Sequence, residues 1–210
     1  MNIPQILFVL GGPGCGKGTW CKRIAENYSV FHLSAGDCLR EEQKRENSEY
    51  KELIESYIVK GAIVPSYITN ALVMRKIRSL GLQNVYLLDG FPRNMENYES
   101  FMKEYKSEGE RALCIYLNCS EETMLQRLNK RSLTSNRIDD NLETIKLRFK
   151  VFADNTLPVV EKFRAKGRLI EIDTNKDITE QWDAMKPELD ALFEKLNQRQ
   201  SKRRGCLFCF

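Results

Sequence analysis

Short apolar runs at 5–10, 84–88, 112–117 and 168–172, with a shorter one near 30–33, alternate along the chain with longer stretches of helical periodicity. The helical stretches fall roughly at 17–27, 36–45, 48–59, 66–79, 94–106, 120–130, 140–165 and 177–197. Unbroken apolar strands separated by helices predict an α/β fold: a three-layer sandwich whose five-stranded parallel sheet is flanked by helices on both faces. Ser34, Ser66 and Ser120 stand where N-caps are expected, and Glu121 and Glu122 follow in a first turn. Gly61, Gly81, Gly109 and Gly167 punctuate helix ends.

Two stretches break the alternation. Residues 34–64 are helical but lie between two strand signals, and residues 131–141 are polar and turn-prone. Both read as insertions over the carboxyl edge of the sheet, where ligands bind in folds of this kind. The expected organisation is one domain over 1–198, with a small helical insertion at 34–64 and a short flap at 131–141. A tail at 199–210 is expected to be disordered.

Charge sharpens this division. Of the 33 Lys and Arg residues, Arg199, Lys202, Arg203 and Arg204 lie in the tail, and the remaining 29 balance the 29 acidic ones. The body is neutral, which argues against a nucleic-acid-binding face. No apolar run reaches the ~18–20 residues of a membrane span. The start of the chain lacks the features of a signal peptide, so the expected compartment is the cytoplasm, with the nucleus also open. The 7 cysteines are scattered and read as reduced thiols. Cys206 and Cys209 form a C-x-x-C pair, but one pair and a single histidine, His32, make a poor zinc site.

The strongest local signal is the strand at 5–10 running into Gly11-Gly12-Pro13-Gly14-Cys15-Gly16-Lys17-Gly18-Thr19 and then a helix. Glycines free successive backbone N–H groups to face one anion, and the helix start adds its positive dipole end. Lys17 is a mobile point charge able to reach the outer phosphates of a nucleotide. The general phosphate-loop pattern has Ser or Thr directly after the lysine, but here Gly18 intervenes before Thr19.

This G-x-P-G-x-G-K-G-T form resembles the nucleoside monophosphate kinase family, which includes adenylate kinases and UMP-CMP kinases. Further segments match in order: His32-Leu-Ser-Ala-Gly-Asp-Cys-Leu-Arg40, Gly61-Ala-Ile-Val-Pro65, Leu88-Asp-Gly-Phe-Pro-Arg-Asn94, and the stretch from Arg127 to Arg148. The resemblance implies transfer of the γ-phosphate of ATP to a nucleoside monophosphate, with Mg2+ as cofactor and a monomeric enzyme. It implies an ATP site from Gly12, Pro13, Gly14, Cys15, Gly16, Lys17, Gly18 and Thr19, with Arg127 and the Lys176 backbone at the adenine. It also implies an acceptor site from Ala35, Arg40, Ala62, Ile63, Val64, Gly90, Phe91, Pro92, Arg93 and Asn97. Arg131, Arg137 and Arg148 would join Lys17 and Arg93 around the transferring group. Asp89 would hold magnesium through water, with Asp37 a second candidate. His32 is given no catalytic role, and Asp139 and Asp140 are expected to pair with flap arginines. These roles suit the chemistry, because phosphoryl transfer is mostly positioning and charge stabilisation, and arginine bonds phosphate oxygens bidentately.

Two positions bear on the acceptor. Ala35 stands where adenylate kinases typically carry Thr, and Asn97 where they carry Gln; both match the UMP-CMP kinase pattern. The carboxamide of Asn97 can turn to face either cytosine or uracil. A short-form adenylate kinase, acting on AMP, is the alternative. Arg131–Asn141 is short and contains no cysteine, so no flap metal is expected, and Asn136 replaces the usual glycine before Arg137. Cys15 reads either as a tolerated small residue or as an oxidant-sensitive thiol beside Lys17. The tail reads either as disordered or as a lipidated, basic membrane contact; membrane association arises only in the second case.

Overall fold

The structure is a computed structural model that describes residues 4–104, 112–133 and 141–205, with side chains described as far as Asn197 and Gln198. Strand β1 (Gln5–Gly11) is buried along its whole length. Its alternate residues point to opposite faces: Ile6, Phe8 and Leu10 into one core, Leu7 and Val9 into the other. Strands β2 (Phe31–Ser34), β3 (Val85–Asp89), β4 (Leu113–Asn118) and β5 (Leu169–Asp173) join it in the order β2-β3-β1-β4-β5, every pairing parallel. The five-stranded parallel sheet expected from the apolar runs is thus present.

Helices α2 (Ala35–Lys44), α3 (Lys51–Val59), α4 (Ser66–Leu80), α5 (Met95–Glu104) and α8 (Leu157–Ala165) supply the core on the Phe8 face. Helices α1 (Lys17–Asn27), α6 (Glu121–Ser132), α7 (Leu142–Val151) and α9 (Ile178–Gly205) cover the other. On the first face Phe8 and Phe91 both meet Phe101 edge-on, at 5.5 and 5.4 Å between ring centres. Among the described residues no helix is long and apolar enough to cross a membrane.

The expected caps hold at Ser34 and Ser120, whose hydroxyls accept from the N–H groups of Asp37 and Thr123. Ser66 does not cap: Pro65 occupies the cap position, and the Ser66 hydroxyl is buried with no partner among the described residues. Gly109 lies outside the described residues.

The helix expected over 140–165 is broken. Helix α7 ends at Val151, a wide π-type turn spans Phe152–Thr156, and α8 begins with Pro158 in its first turn. Pro158 has no N–H, so the regular ladder cannot pass through it. The Asn155 carboxamide donates instead to the Val151 carbonyl at 3.2 Å. Helix α9 runs past the expected end near 197 to Gly205, taking in the first residues of the basic tail.

The insertion at 34–64 is tied to the body at a buried carboxylate. Glu42 is 1% exposed, and its oxygens accept from Arg45 at 2.5 Å, Ser48 at 2.6 Å and Arg75 of α4 at 2.5 Å. Burial alone would raise its pKa, but Ser48, Arg75 and Arg45 outweigh it and hold the carboxyl at about 2 against an ordinary 4.5. A depressed carboxylate contributes stability that is present above the ordinary value and is lost as pH falls toward 2. Glu42→Gln is therefore expected to lose about 1–3 kcal/mol at neutral pH, because buried charge-assisted bonds go. Urea melts of both proteins, repeated down to about pH 3, should show the gap shrinking. A gap independent of pH would contradict this account.

Candidate active site

The carboxyl ends of β1, β2 and β3 open into one cavity of ≈ 510 Å³. Its position follows from the topology: the chain leaves β3 on one side of β1 and returns as β4 on the other, and the resulting crevice lies beside the loop after β1.

That loop is shaped by close packing. Gly14 and Gly16 have φ of +87° and +95°, which favour glycine. A Cβ at Gly14 would lie 2.5 Å from the backbone oxygen of Met124, and one at Gly12 would lie 2.3 Å from the Met124 sulfur. The glycines therefore also admit α6 against the loop. Gly18 differs, since a Cβ there meets nothing within 4 Å. Lys17 opens α1, and its Nζ donates to the Gly11 carbonyl at 2.8 Å and the Gly12 carbonyl at 2.9 Å. The ammonium is thus parked over the loop, beside the cavity.

Arg40 and Arg93 line the same cavity. Arg40 Nη2 donates to Asp37 Oδ1 at 2.5 Å, across the first turns of α2. Arg93 is held at three points. Its Nε donates to the Gly90 carbonyl at 3.2 Å, its N–H to Asn97 Oδ1 at 3.2 Å, and its carbonyl accepts from Thr156 at 2.7 Å. Arg127, Arg131 and Arg148 border the same cavity from α6 and α7. Gly61, at φ +62°, lets α7 approach, for its Cβ would stand 3.0 Å from Arg148 Cγ. Asp89 ends β3 on the cavity wall, 9% exposed, with its Oδ2 3.2 Å from His32 Nε2. A loop of backbone donors and several arginines around one cavity are suited to several phosphate groups at once.

The family model for adenylate kinase matches residues 9–168. The chain belongs to the adenylate kinase family. It is 47% identical to a uridylate kinase of Schizosaccharomyces pombe, over 82% of this chain and 91% of that protein. It is 42% identical to a uridylate kinase of Saccharomyces cerevisiae, over 91% of this chain and 92% of that protein. A UMP-CMP kinase of Bos taurus is 38% identical over 91% of this chain and 98% of its own length.

Within this family member most of the expected site residues come together. Pro13, Gly14, Gly16, Gly18, Thr19, Ala62, Val64, Gly90 and Pro92 border the cavity with the charged residues already named. Arg127 and Lys176, both expected at the adenine, meet directly: Arg127 Nη2 donates to the Lys176 carbonyl at 3.4 Å. Gly12, Cys15, Ala35, Ile63, Phe91, Asn97 and Lys176 do not border the cavity. Phe91 and Asn97 are wholly buried, and Ala35 is nearly so. The buried Nδ2 of Asn97 has no partner among the described residues. Arg137, with Asn136, Asp139 and Asp140, lies outside the described residues.

Of the two readings of Cys15, the tolerated small residue fits better: the thiol is fully buried, and burial pushes its pKa up despite the opposing pull of Lys17. Asp37, the second metal candidate, lines the cavity and accepts from Arg40 through its Oδ1. Sequence reasoning missed Phe152 and Thr156, which border the cavity from the wide turn. Pro158 was the available signal, because it interrupts the periodic stretch that hid them.

Proposed function

We propose that this protein is an ATP-dependent UMP-CMP kinase, moving the γ-phosphate of ATP to CMP or UMP and yielding ADP and CDP or UDP. The observation that carries this reading is that Lys17 with the glycine loop, Arg40 and Arg93, and Arg131 and Arg148 all line one cavity. The names of the relatives, uridylate kinase and UMP-CMP kinase, agree with it.

The chemistry follows from the arrangement. The loop N–H groups and Lys17 hold the β- and γ-phosphates, while Arg40 and Arg93 hold the acceptor's phosphate, so the two reactants are aligned before reaction. An acceptor phosphate oxygen bonds to the γ-phosphorus as the bond to the β,γ-bridging oxygen breaks, and ADP leaves. Lys17, Arg131 and Arg148 neutralise charge spread over the transferring group, with Arg137 as a further contributor. No general base is required, because the acceptor phosphate is already an anion at neutral pH. Asp89 presents a hard carboxylate oxygen to the cavity, which fits Mg2+ held through water. Magnesium arriving with ATP would supply further neutralisation of phosphate charge.

Asn97 is the proposed reader of the base; it is buried just outside the cavity lining, so reading requires that lining to move aside and uncover it. Its unmet Nδ2 donor matches the ring nitrogen of cytosine or a carbonyl of uracil. Adenine offers a similar edge, so rejection of AMP rests on the shorter reach of Asn97 and on the small Ala35. Features of this kind give about 1–3 kcal/mol each, so kcat/KM for CMP and UMP is expected to exceed that for AMP by roughly 10–100-fold. A panel of monophosphates with ATP and magnesium measures this directly. Higher efficiency with AMP than with either pyrimidine would turn the assignment to an adenylate kinase.

A further inference from the structure

Three chemically different ligand groups converge behind the glycine loop. Cys21 lies on the inner face of α1, His32 on the edge strand β2, and Asp89 at the end of β3. The strand register explains the meeting. His32 pairs with Leu87 and Ser34 with Asp89, so His32, Leu87 and Asp89 share the face on which α1 packs. Cys21 is fully buried, whereas His32 and Asp89 border the cavity. The Cys21 sulfur, a His32 ring nitrogen and an Asp89 oxygen all lie within 4.8 Å of one another. The His32 and Asp89 members are 3.2 Å apart.

The donor set selects the metal. Magnesium and calcium take oxygen ligands and would not choose a thiolate and an imidazole. Zinc accepts all three, with bonds of about 2.0–2.3 Å, and tetrahedral geometry then sets the ligand atoms roughly 3.3–3.8 Å apart. His32 and Asp89 are already at that spacing, the Cys21 sulfur has to close by at most about 1.5 Å, and His32 sits on an edge strand, where its ring has room to adjust. Three protein ligands leave a fourth position, and two of the three, His32 and Asp89, border the cavity.

We propose that Cys21, His32 and Asp89 form a zinc-class metal site that inhibits the enzyme when filled. Metal binding forms a metal–sulfur bond, and the Cys21 proton passes to solvent. Asp89 becomes a direct ligand and can no longer serve the hydrated magnesium of ATP. This consequence rests on the proposed kinase reaction; the binding itself does not.

The test uses the full-length chain carrying C206S and C209S, so that the terminal C-x-x-C pair contributes nothing. Cobalt(II) is the spectroscopic probe. One ion per chain is expected, with a thiolate-to-metal charge-transfer band in the near ultraviolet and strong tetrahedral bands in the visible. Cys21→Ala, or Cys21→Ser if the alanine variant folds poorly, should abolish the charge-transfer band, and His32→Asn should weaken binding about tenfold or more. Added zinc should displace cobalt. It should also inhibit turnover, with the half-inhibitory concentration raised at least about tenfold in Cys21→Ala at unchanged basal rate. A cobalt spectrum without the thiolate band, or a band that persists without Cys21, overturns the site. Binding as expected with zinc inhibition unaltered in the Cys21 variant overturns the inhibitory role. Loss of the pyrimidine kinase activity itself, with the cobalt spectrum intact, would count against the proposed function and leave the metal site standing.

Discussion

Lys17→Met is expected to lower kcat by about 10²–10³-fold, the range found when one preorganised charge-stabilising group is removed from a transition state. Methionine preserves the length and apolar stem of the side chain and removes only the charge. Lys17 Nζ donates to the Gly11 and Gly12 carbonyls, at 2.8 and 2.9 Å. Gly11 borders the cavity and Gly12 does not, so water can replace the ammonium at one carbonyl while the other bond is lost at about 1 kcal/mol, and the melting temperature should fall by about 2–4 °C. The lysine's larger contribution therefore belongs to the loaded site. Incoming phosphates offer far stronger acceptors than two neutral carbonyls, and the mobile ammonium transfers to them. Charge builds on the transferring group during reaction, so the loss should fall on kcat more than on the KM for ATP. Steady-state rates with CMP and UMP, with thermal melts alongside, separate the two effects. A kcat within tenfold of the parent would remove Lys17 from the reacting centre.

How far the sequence foretells this site depends on what each residue's signal reports. The strands were legible because burial on both faces leaves unbroken apolar runs, as in Ile6–Leu10, whose residues serve two cores. Their spatial order was not, since pairing is decided by packing between segments far apart in sequence. The phosphate loop was legible as a motif, but only half of the reason for its glycines was. The exposure of N–H groups follows from composition, whereas the contact of Gly12 and Gly14 with Met124 needs the placement of α6. The surroundings of Cys15 and Asp37 were not legible for the same cause: they are set by burial in one case and by Arg40 in the other, which neighbours in sequence do not report. The wide turn at Phe152–Thr156 was invisible to periodicity, because a single added residue per turn shifts the helical phase without erasing it. The cluster of Cys21, His32 and Asp89 spans three elements, and no spacing rule joins residues brought together only by strand register.

That turn bears on the other large effect expected. Arg93→Met should reduce kcat/KM for CMP and UMP by about 10²–10⁴-fold, since two charge-assisted bonds to the acceptor phosphate, at roughly 1.5–3 kcal/mol each, would be lost together. The geometry around Arg93 explains why so much should rest on it. Its backbone is fastened on one side by Asn97, whose Oδ1 accepts from its N–H at 3.2 Å, and on the other by Thr156, which donates to its carbonyl at 2.7 Å. Its side chain is braced by the Gly90 carbonyl at 3.2 Å, and Gly90, at φ +68°, turns the chain back from the end of β3. A guanidinium anchored in this way loses little entropy when it grips a phosphate, so most of its bond strength appears as affinity and alignment. Lysine could restore the charge but not the fork, and Arg93→Lys should recover only a minor part of the loss. The signature sought is a rise in KM for the monophosphate together with a fall in kcat, while the affinity for ATP stays near the parent value. If the KM for ATP moved as much as that for CMP, Arg93 would belong to the donor half of the cavity, and the division of the site between donor and acceptor would have to be redrawn.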